Sequence, residues 1–211
     1  MELYYHPLST YSQKVLIACY EKGIAFSRHI INLAVAAERK KYNKIYPIGK
    51  LPLLITDQDH MIPESSIIIE YIDRTRSKAP RLIPKDTDEA RQVRFRDRMH
   101  DLYLNDPTVT ILSEGLKPEN QRNPALINKS RKTLDVIYEF LNHELKGHTW
   151  SNGEDFTMAD CAAAPALFYA QRVHSFNKYP TIRAYFSRLM GRPSYQKVIR
   201  EAEPLMKKFL S

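Results

Sequence analysis

The chain has 211 residues, 43% of them hydrophobic, with 6 glycines and a formal net charge of +8. This length allows one large or two modest domains with a packed core, which excludes a disordered chain; no run reaches the roughly 20 apolar residues of a membrane span, and Met1–Tyr5 lacks the charged and apolar regions of a secretion signal, so the expected location is the cytoplasm, away from membranes. The positive charge favours anionic ligands, but Lys and Arg are interleaved with Asp and Glu along the helical segments and form no basic block, so nucleic acid is not an expected partner.

Glu2–Tyr5 reads as a short strand. Tyr11–Lys22 has helical apolar spacing at Val15, Leu16, Cys19 and Tyr20, and Gly23 follows as a C-terminal stop. Ala25–Ile31 reads as a second strand, and Glu38–Lys44 as a charged, weakly amphipathic helix. Pro52 opens the apolar run Leu53–Ile55, a polar turn follows, and Met61 and Ile62 return as the other arm of a hairpin. Glu64-Ser65-Ser66 then starts a helix reaching about Arg76. A βαβ unit followed by a ββα unit is the thioredoxin-like arrangement.

Residues 77–86 carry two prolines and no periodicity, which reads as a linker. Everything beyond is helical: Thr87–Leu116 with a kink at Pro107, then Pro124–Leu145, Thr157–Val173, Pro180–Met190 and Pro193–Phe209. The expected organisation is an α/β thioredoxin-like N-terminal domain at 1–78, a linker at 79–86 and an all-α C-terminal domain at 87–211. Cys19 and Cys161 lie inside helical patterns, far apart, and read as small buried hydrophobes. No His/Cys cluster has ligand spacing, so no metal is expected.

Two motifs carry chemistry, and a third is structural. A proline before a strand leaves the preceding backbone unpaired on one side, and it is the residue type that tolerates a cis bond. Glu64 and Ser65 put a carboxylate and a hydroxyl at a helix N-terminus, where free N–H groups attract anions. Together these features suit a small, extended, zwitterionic peptide. In the second half, Phe156-Thr157-Met158-Ala159-Asp160 is a capping box: Thr157 and Asp160 satisfy each other's backbone N–H, and Phe156 is a candidate staple. That motif reads as structural, with a loss of about 1 kcal/mol on replacing Asp160.

In this order, and with the later Tyr179-Pro180-Thr181-Ile182 and Arg192-Pro193-Ser194, these motifs resemble the cytosolic glutathione S-transferases over nearly the whole chain. The resemblance implies glutathione as co-substrate. The Leu51-Pro52 backbone would clamp its cysteinyl part, Glu64 and Ser65 would hold the γ-glutamyl end, and Lys50 would face the glycyl carboxylate. It also implies a homodimer. Ser66 departs from the Arg that many relatives carry after the acidic-Ser pair, and Tyr11 stands where some classes place a cysteine.

A free thiol has a pKa of about 8.5, and lowering it by about two units corresponds to roughly 3 kcal/mol. A hydroxyl bond to the thiolate plus a helix N-terminus supplies that order. The junction His6-Pro7-Leu8-Ser9-Thr10-Tyr11-Ser12 offers several hydroxyls. Ser9 falls where zeta- and delta-like classes carry their catalytic serine, and it is the favoured residue; Ser12 and Tyr5 are the fallbacks. Met99, Tyr103 and Asp106 share one helical face and are candidates for an electrophile pocket, although such a stripe also serves as core or subunit interface. The function implied is thiolate stabilisation for attack on a small hydrophobic electrophile. The alternatives are a glutathione-dependent isomerase or dehalogenase of zeta or theta type, and a transferase fold used only for binding.

Overall fold

The computed structural model describes residues 1–75 and 80–210, with side chains through Met206. The expected helix end at Arg76 and the expected domain and linker boundary at 78–79 lie outside the described residues. The chain forms two compact units, Met1–Leu82 with Pro193–Ser211, and Ile83–Arg192.

The first unit is built on β1 (Glu2–Tyr5), α1 (Thr10–Glu21), β2 (Ser27–Ile30), α2 (Ala36–Ile45), β3 (Leu53–Ile55), β4 (Met61–Pro63) and α3 (Ser65–Thr75). The strands form one mixed sheet in the order β2-β1-β3-β4, with β1 parallel to β2 and antiparallel to β3. Alternation along β1 divides the core. Tyr4 packs with Tyr42 of α2 and Leu53 on one face, while the Tyr5 hydroxyl meets Arg28, which reaches Tyr20 of α1. Helix α1 is buried on nearly every side from Ser12 to Cys19, because it packs against both α3 and α9 (Pro193–Leu210). Its end is tied down by a buried ion pair, Lys22 Nζ to Asp73 Oδ1 of α3 at 2.8 Å, and Asp73 also accepts from Leu82 N–H.

The last helix differs from its expected place. The sequence reading assigns Pro193–Phe209 to the all-helical domain, yet α9 groups with the sheet unit. Its apolar stripe Tyr195, Val198 and Ala202 is buried, and Glu201 accepts from Tyr20 of α1 and from Arg28 of β2.

The second unit contains α4 (Thr87–Met99), α5 (Asp106–Gly115), α6 (Pro124–Glu144), α7 (Met158–Val173) and α8 (Pro180–Gly191). The segment expected as one kinked helix over Thr87–Leu116 is α4 and α5 joined by π-helical turns over His100–Asn105. Pro107 has no N–H, so the regular ladder cannot pass it; the Asp106 N–H bonds Asp101 O five residues back, and the Thr108 hydroxyl bonds Leu104 O at 2.7 Å. Helix α7 runs through the centre of the unit. Its alanines at 162, 163, 164 and 166 are buried and allow neighbouring helices to approach closely.

Candidate functional site

Strand register brings three separate segments to one end of the sheet. Tyr4 of β1 pairs with Leu53 of β3, and Leu53 pairs with Pro63 of β4. The chain leaving β1 toward Ser9, the chain entering β3 through Leu51 and Pro52, and the chain leaving β4 into Glu64 and Ser65 therefore meet there. Lys50, Leu51, Pro52, Glu64, Ser65 and Ser9 all belong to these segments.

The Leu51–Pro52 peptide bond is cis. Tyr42 holds the segment from below by donating its hydroxyl to Lys50 O at 2.7 Å. Gly49 turns the chain with φ +67°, and a Cβ there would lie 2.8 Å from Asn43 Oδ1, so the turn needs glycine. The Leu51 N–H and C=O have no hydrogen-bond partner among the described residues. The Lys50 side chain is exposed.

Glu64 is exposed and sits at φ +70°, in the left-handed region that non-glycine residues rarely adopt. Its carbonyl accepts the first helical bond of α3, from Ile68 N–H at 2.9 Å. That conformation costs of order 1–3 kcal/mol and persists where the surroundings impose it, typically at ligand clamps. Ser65, the first residue of α3, is buried behind it.

The three candidate hydroxyls occupy different environments. Ser9 is the N-cap of α1 and accepts from Ser12 N–H at 3.3 Å. It is half-buried, and among the described residues its hydroxyl donates to nothing. Ser12 is fully buried, and its oxygen accepts from His6 N–H at 3.3 Å. Tyr5 is 1% exposed, with its hydroxyl accepting from Arg28 at 3.2 Å. Burial raises the Tyr5 pKa, the Arg28 guanidinium opposing it, so an ionised phenol is disfavoured. His6 accepts from Leu8 N–H at Nδ1, and burial lowers its pKa, which suits a neutral ring holding a turn. Both cysteines are buried, and desolvation pushes the Cys19 thiol up to about 12.

One residue in this neighbourhood carries no signal in the sequence motifs. Lys14 of α1 is buried, and its Nζ donates to Ser66 Oγ of α3 at 2.8 Å. A charged residue between the buried Gln13 and Val15 of an enclosed helix requires a partner, and only the fold shows that this lysine is buried.

The residues expected at an electrophile pocket are only partly brought together. Met99 and Tyr103 line an apolar groove of about 280 Å³ with Phe95 and, from α6, Val136, Ile137 and Phe140. Asp106 is exposed and does not line it.

The capping motif at Thr157 and Asp160 forms as a reciprocal box. Asp160 is fully buried and accepts from Thr157 N–H at 2.8 Å, Ser151 N–H at 2.7 Å, the Thr157 hydroxyl at 3.0 Å and the Tyr185 hydroxyl at 2.6 Å. Burial raises its pKa and these donors oppose the rise. The expected loss of about 1 kcal/mol reflects a cap alone; the observed hub joins the Ser151 turn, α7 and α8, so its removal takes the acceptor from four buried donors.

Comparison with known proteins agrees with this architecture. The family model for the glutathione S-transferase N-terminal domain matches residues 3–80, and that for the C-terminal domain matches 104–193. Glutathione S-transferase F10 of Arabidopsis thaliana is 25% identical over 203 residues, covering 92% of this chain and 94% of its own. The stringent starvation protein A homolog of Coxiella burnetii is 27% identical over 170 residues, covering 80% of this chain and 75% of its own. Among solved structures, a glutathione S-transferase of Methylobacillus flagellatus KT with GSH bound has a TM-score of 0.83 at 27% identity, covering 93% of this chain and 98% of that one. With both domain models matched in order over a thioredoxin-like sheet unit and a helical unit, the chain belongs to the glutathione S-transferase family.

Proposed function

We propose that this chain is a glutathione transferase that binds glutathione at the Ser9 end of its sheet and stabilises the thiolate with the Ser9 hydroxyl. The observation that carries the reading is the Ser9 hydroxyl itself: of the three candidates it alone is partly exposed with no donor bond made among the described residues. An extended peptide laid along Leu51 would pair with its N–H and C=O as an added strand does. Exposed Glu64 takes the γ-glutamyl ammonium, and Ser65 at the start of α3 takes the neighbouring carboxylate. Lys50 takes the glycyl carboxylate. The thiol proton leaves to solvent, the Ser9 O–H bonds the remaining sulfur anion, and the sulfur lone pair forms a C–S bond to a soft carbon as its leaving group departs with the displaced pair. The named relatives, and the glutathione bound in the bacterial structure, support this reading.

We infer further that the protein detoxifies small hydrophobic electrophiles in the cytoplasm as a homodimer. The dimer is supported by the groove at Phe95, Tyr103, Val136 and Phe140, all of them exposed apolar residues that a second copy would cover. In this reading Met99 and Tyr103 serve subunit contact, and Asp106 takes no part in the site.

A second reading, a transferase fold used for binding alone, is favoured by the net charge of +8 and by the likeness to the stringent starvation protein A homolog. Calorimetric titration of glutathione into the full chain separates the two. Affinity that falls about tenfold or more in both Glu64→Ala and Ser65→Ala supports the transferase. No heat at millimolar glutathione would remove it and leave the binding module. Turnover of maleylacetoacetate-like acids without turnover of aryl halides would redirect the reading to a zeta-type isomerase.

A further inference from the structure

The loop that carries Ser9 into α1 is braced by a buried amide. Its Pro7–Leu8 peptide unit is pinned at both ends: the Pro7 C=O accepts from Gln13 Nε2 at 2.7 Å, and the Leu8 N–H donates to His6 Nδ1 at 3.2 Å. The next N–H, that of Ser9, donates to His6 O at 2.9 Å, and Ser9 Oγ accepts from Ser12 N–H at 3.3 Å. The Gln13 bond is the shortest of these contacts, and it ties the middle of the loop to the helix. A peptide unit is planar, so fixing this one restricts the two torsions on either side of it, immediately before Ser9.

Gln13 is 1% exposed. Its Oε1 accepts no hydrogen bond among the described residues, and a buried acceptor left unpaired costs stability. An apolar side chain of the same length would fill the site without that cost. What the amide gains lies at its other end, on the Pro7 carbonyl. We propose, on the thiolate reading above, that Gln13 is a positioning residue for Ser9: its N–H holds the Pro7 carbonyl and so aims the Ser9 hydroxyl at the sulfur of bound glutathione. A misplacement of about 1 Å at a reacting centre can cost about 100-fold in rate, so the brace has a measurable effect.

The test is a double-mutant cycle on the full chain, read as the pKa of the bound glutathione thiol. Gln13→Met keeps the length of the side chain and removes the donor. Alone, it should raise the bound thiol's pKa by about one unit and cut turnover about tenfold, with glutathione affinity within about twofold of wild type. In a Ser9→Ala background the same substitution should move the thiol by less than about 0.3 unit, because the hydroxyl it aims is gone. A rise of equal size in both backgrounds overturns the proposal, since Gln13 would then act without Ser9. An unmoved thiol in Gln13→Met alone also overturns it. Should Gln13→Met fail to fold, Gln13→Asn is read against the same two outcomes, because its shorter side chain keeps an amide and falls short of Pro7 O. Failure of the wild type to bind glutathione, or an unshifted thiol in Ser9→Ala alone, refutes the underlying reading and the brace with it. A shifted thiol in Ser9→Ala with none in Gln13→Met refutes the brace alone.

Discussion

The starts of α3 and α7 each combine an acid with a hydroxyl, and the two are built in opposite ways. At α7 the Asp160 carboxylate is fully buried, and four protein donors converge on it. At α3 the Glu64 carboxylate is exposed, and the residue is held at φ +70°. The first arrangement leaves nothing for a ligand and stabilises the fold. The second accepts backbone strain and keeps an acid open to solvent, as the binding role proposed for Glu64 requires. Sequence type alone does not separate a cap from a clamp; burial and the satisfaction of polar atoms do.

Substitutions at the two starts sharpen this contrast. The largest effect is expected at the buried hub. Asp160→Ala should lower unfolding free energy by about 3–5 kcal/mol in denaturant titrations, because it leaves Ser151 N–H, Thr157 N–H and the Tyr185 hydroxyl buried without their acceptor. A loss under about 1 kcal/mol would reduce Asp160 to an ordinary cap and break the contrast. At the other start the direction reverses. Glu64→Gly relieves the left-handed conformation and should raise stability by up to about 1 kcal/mol, less the flexibility glycine adds to the unfolded chain, while abolishing calorimetric glutathione binding. A protein that is both destabilised and still able to bind would show that Glu64 supports structure. The smallest effect concerns the protein's own sulfur. With its thiol pushed up to about 12 by burial, Cys19 is almost wholly protonated at pH 8, and mass spectrometry should find it unmodified after iodoacetamide treatment of the native chain. Rapid labelling would mean that α1 opens readily.

Much of the first unit was legible because its signals are local. The Pro52 hairpin and the Glu64-Ser65 helix start appear at or beside the expected residues as β3, β4 and α3. The capping box is equally local: Thr157 and Asp160 decide it. What escaped depends on contacts between distant parts of the chain. Lys14 looks like any helical lysine until Ser66, 52 residues away, is brought to it. The α9 stripe reads as part of a helical domain because only the partner surface on α1 assigns it to the sheet. Asp106 fell on the Met99–Tyr103 face at regular helical spacing, but the π-helical turns over His100–Asn105 change the phase of the helix just before it. The hydroxyls of Tyr5, Ser9 and Ser12, all in one short stretch of chain, are indistinguishable on paper; only burial and hydrogen-bond direction separate Ser9 from Ser12 and Tyr5.

The most direct measurement is a spectrophotometric pH titration of the thiolate of bound glutathione, in wild type and in Ser9→Ala. In the wild type the bound thiol should ionise about two units below the free thiol. In Ser9→Ala the bound thiol should move back up by about one to two units, with turnover reduced by one to three orders of magnitude, on the scale of a lost donor worth roughly 2–4 kcal/mol, and with little change in glutathione affinity. An unshifted titration curve in Ser9→Ala would contradict the role given to Ser9 and return the search for the thiolate's donor to Ser12 and Tyr5.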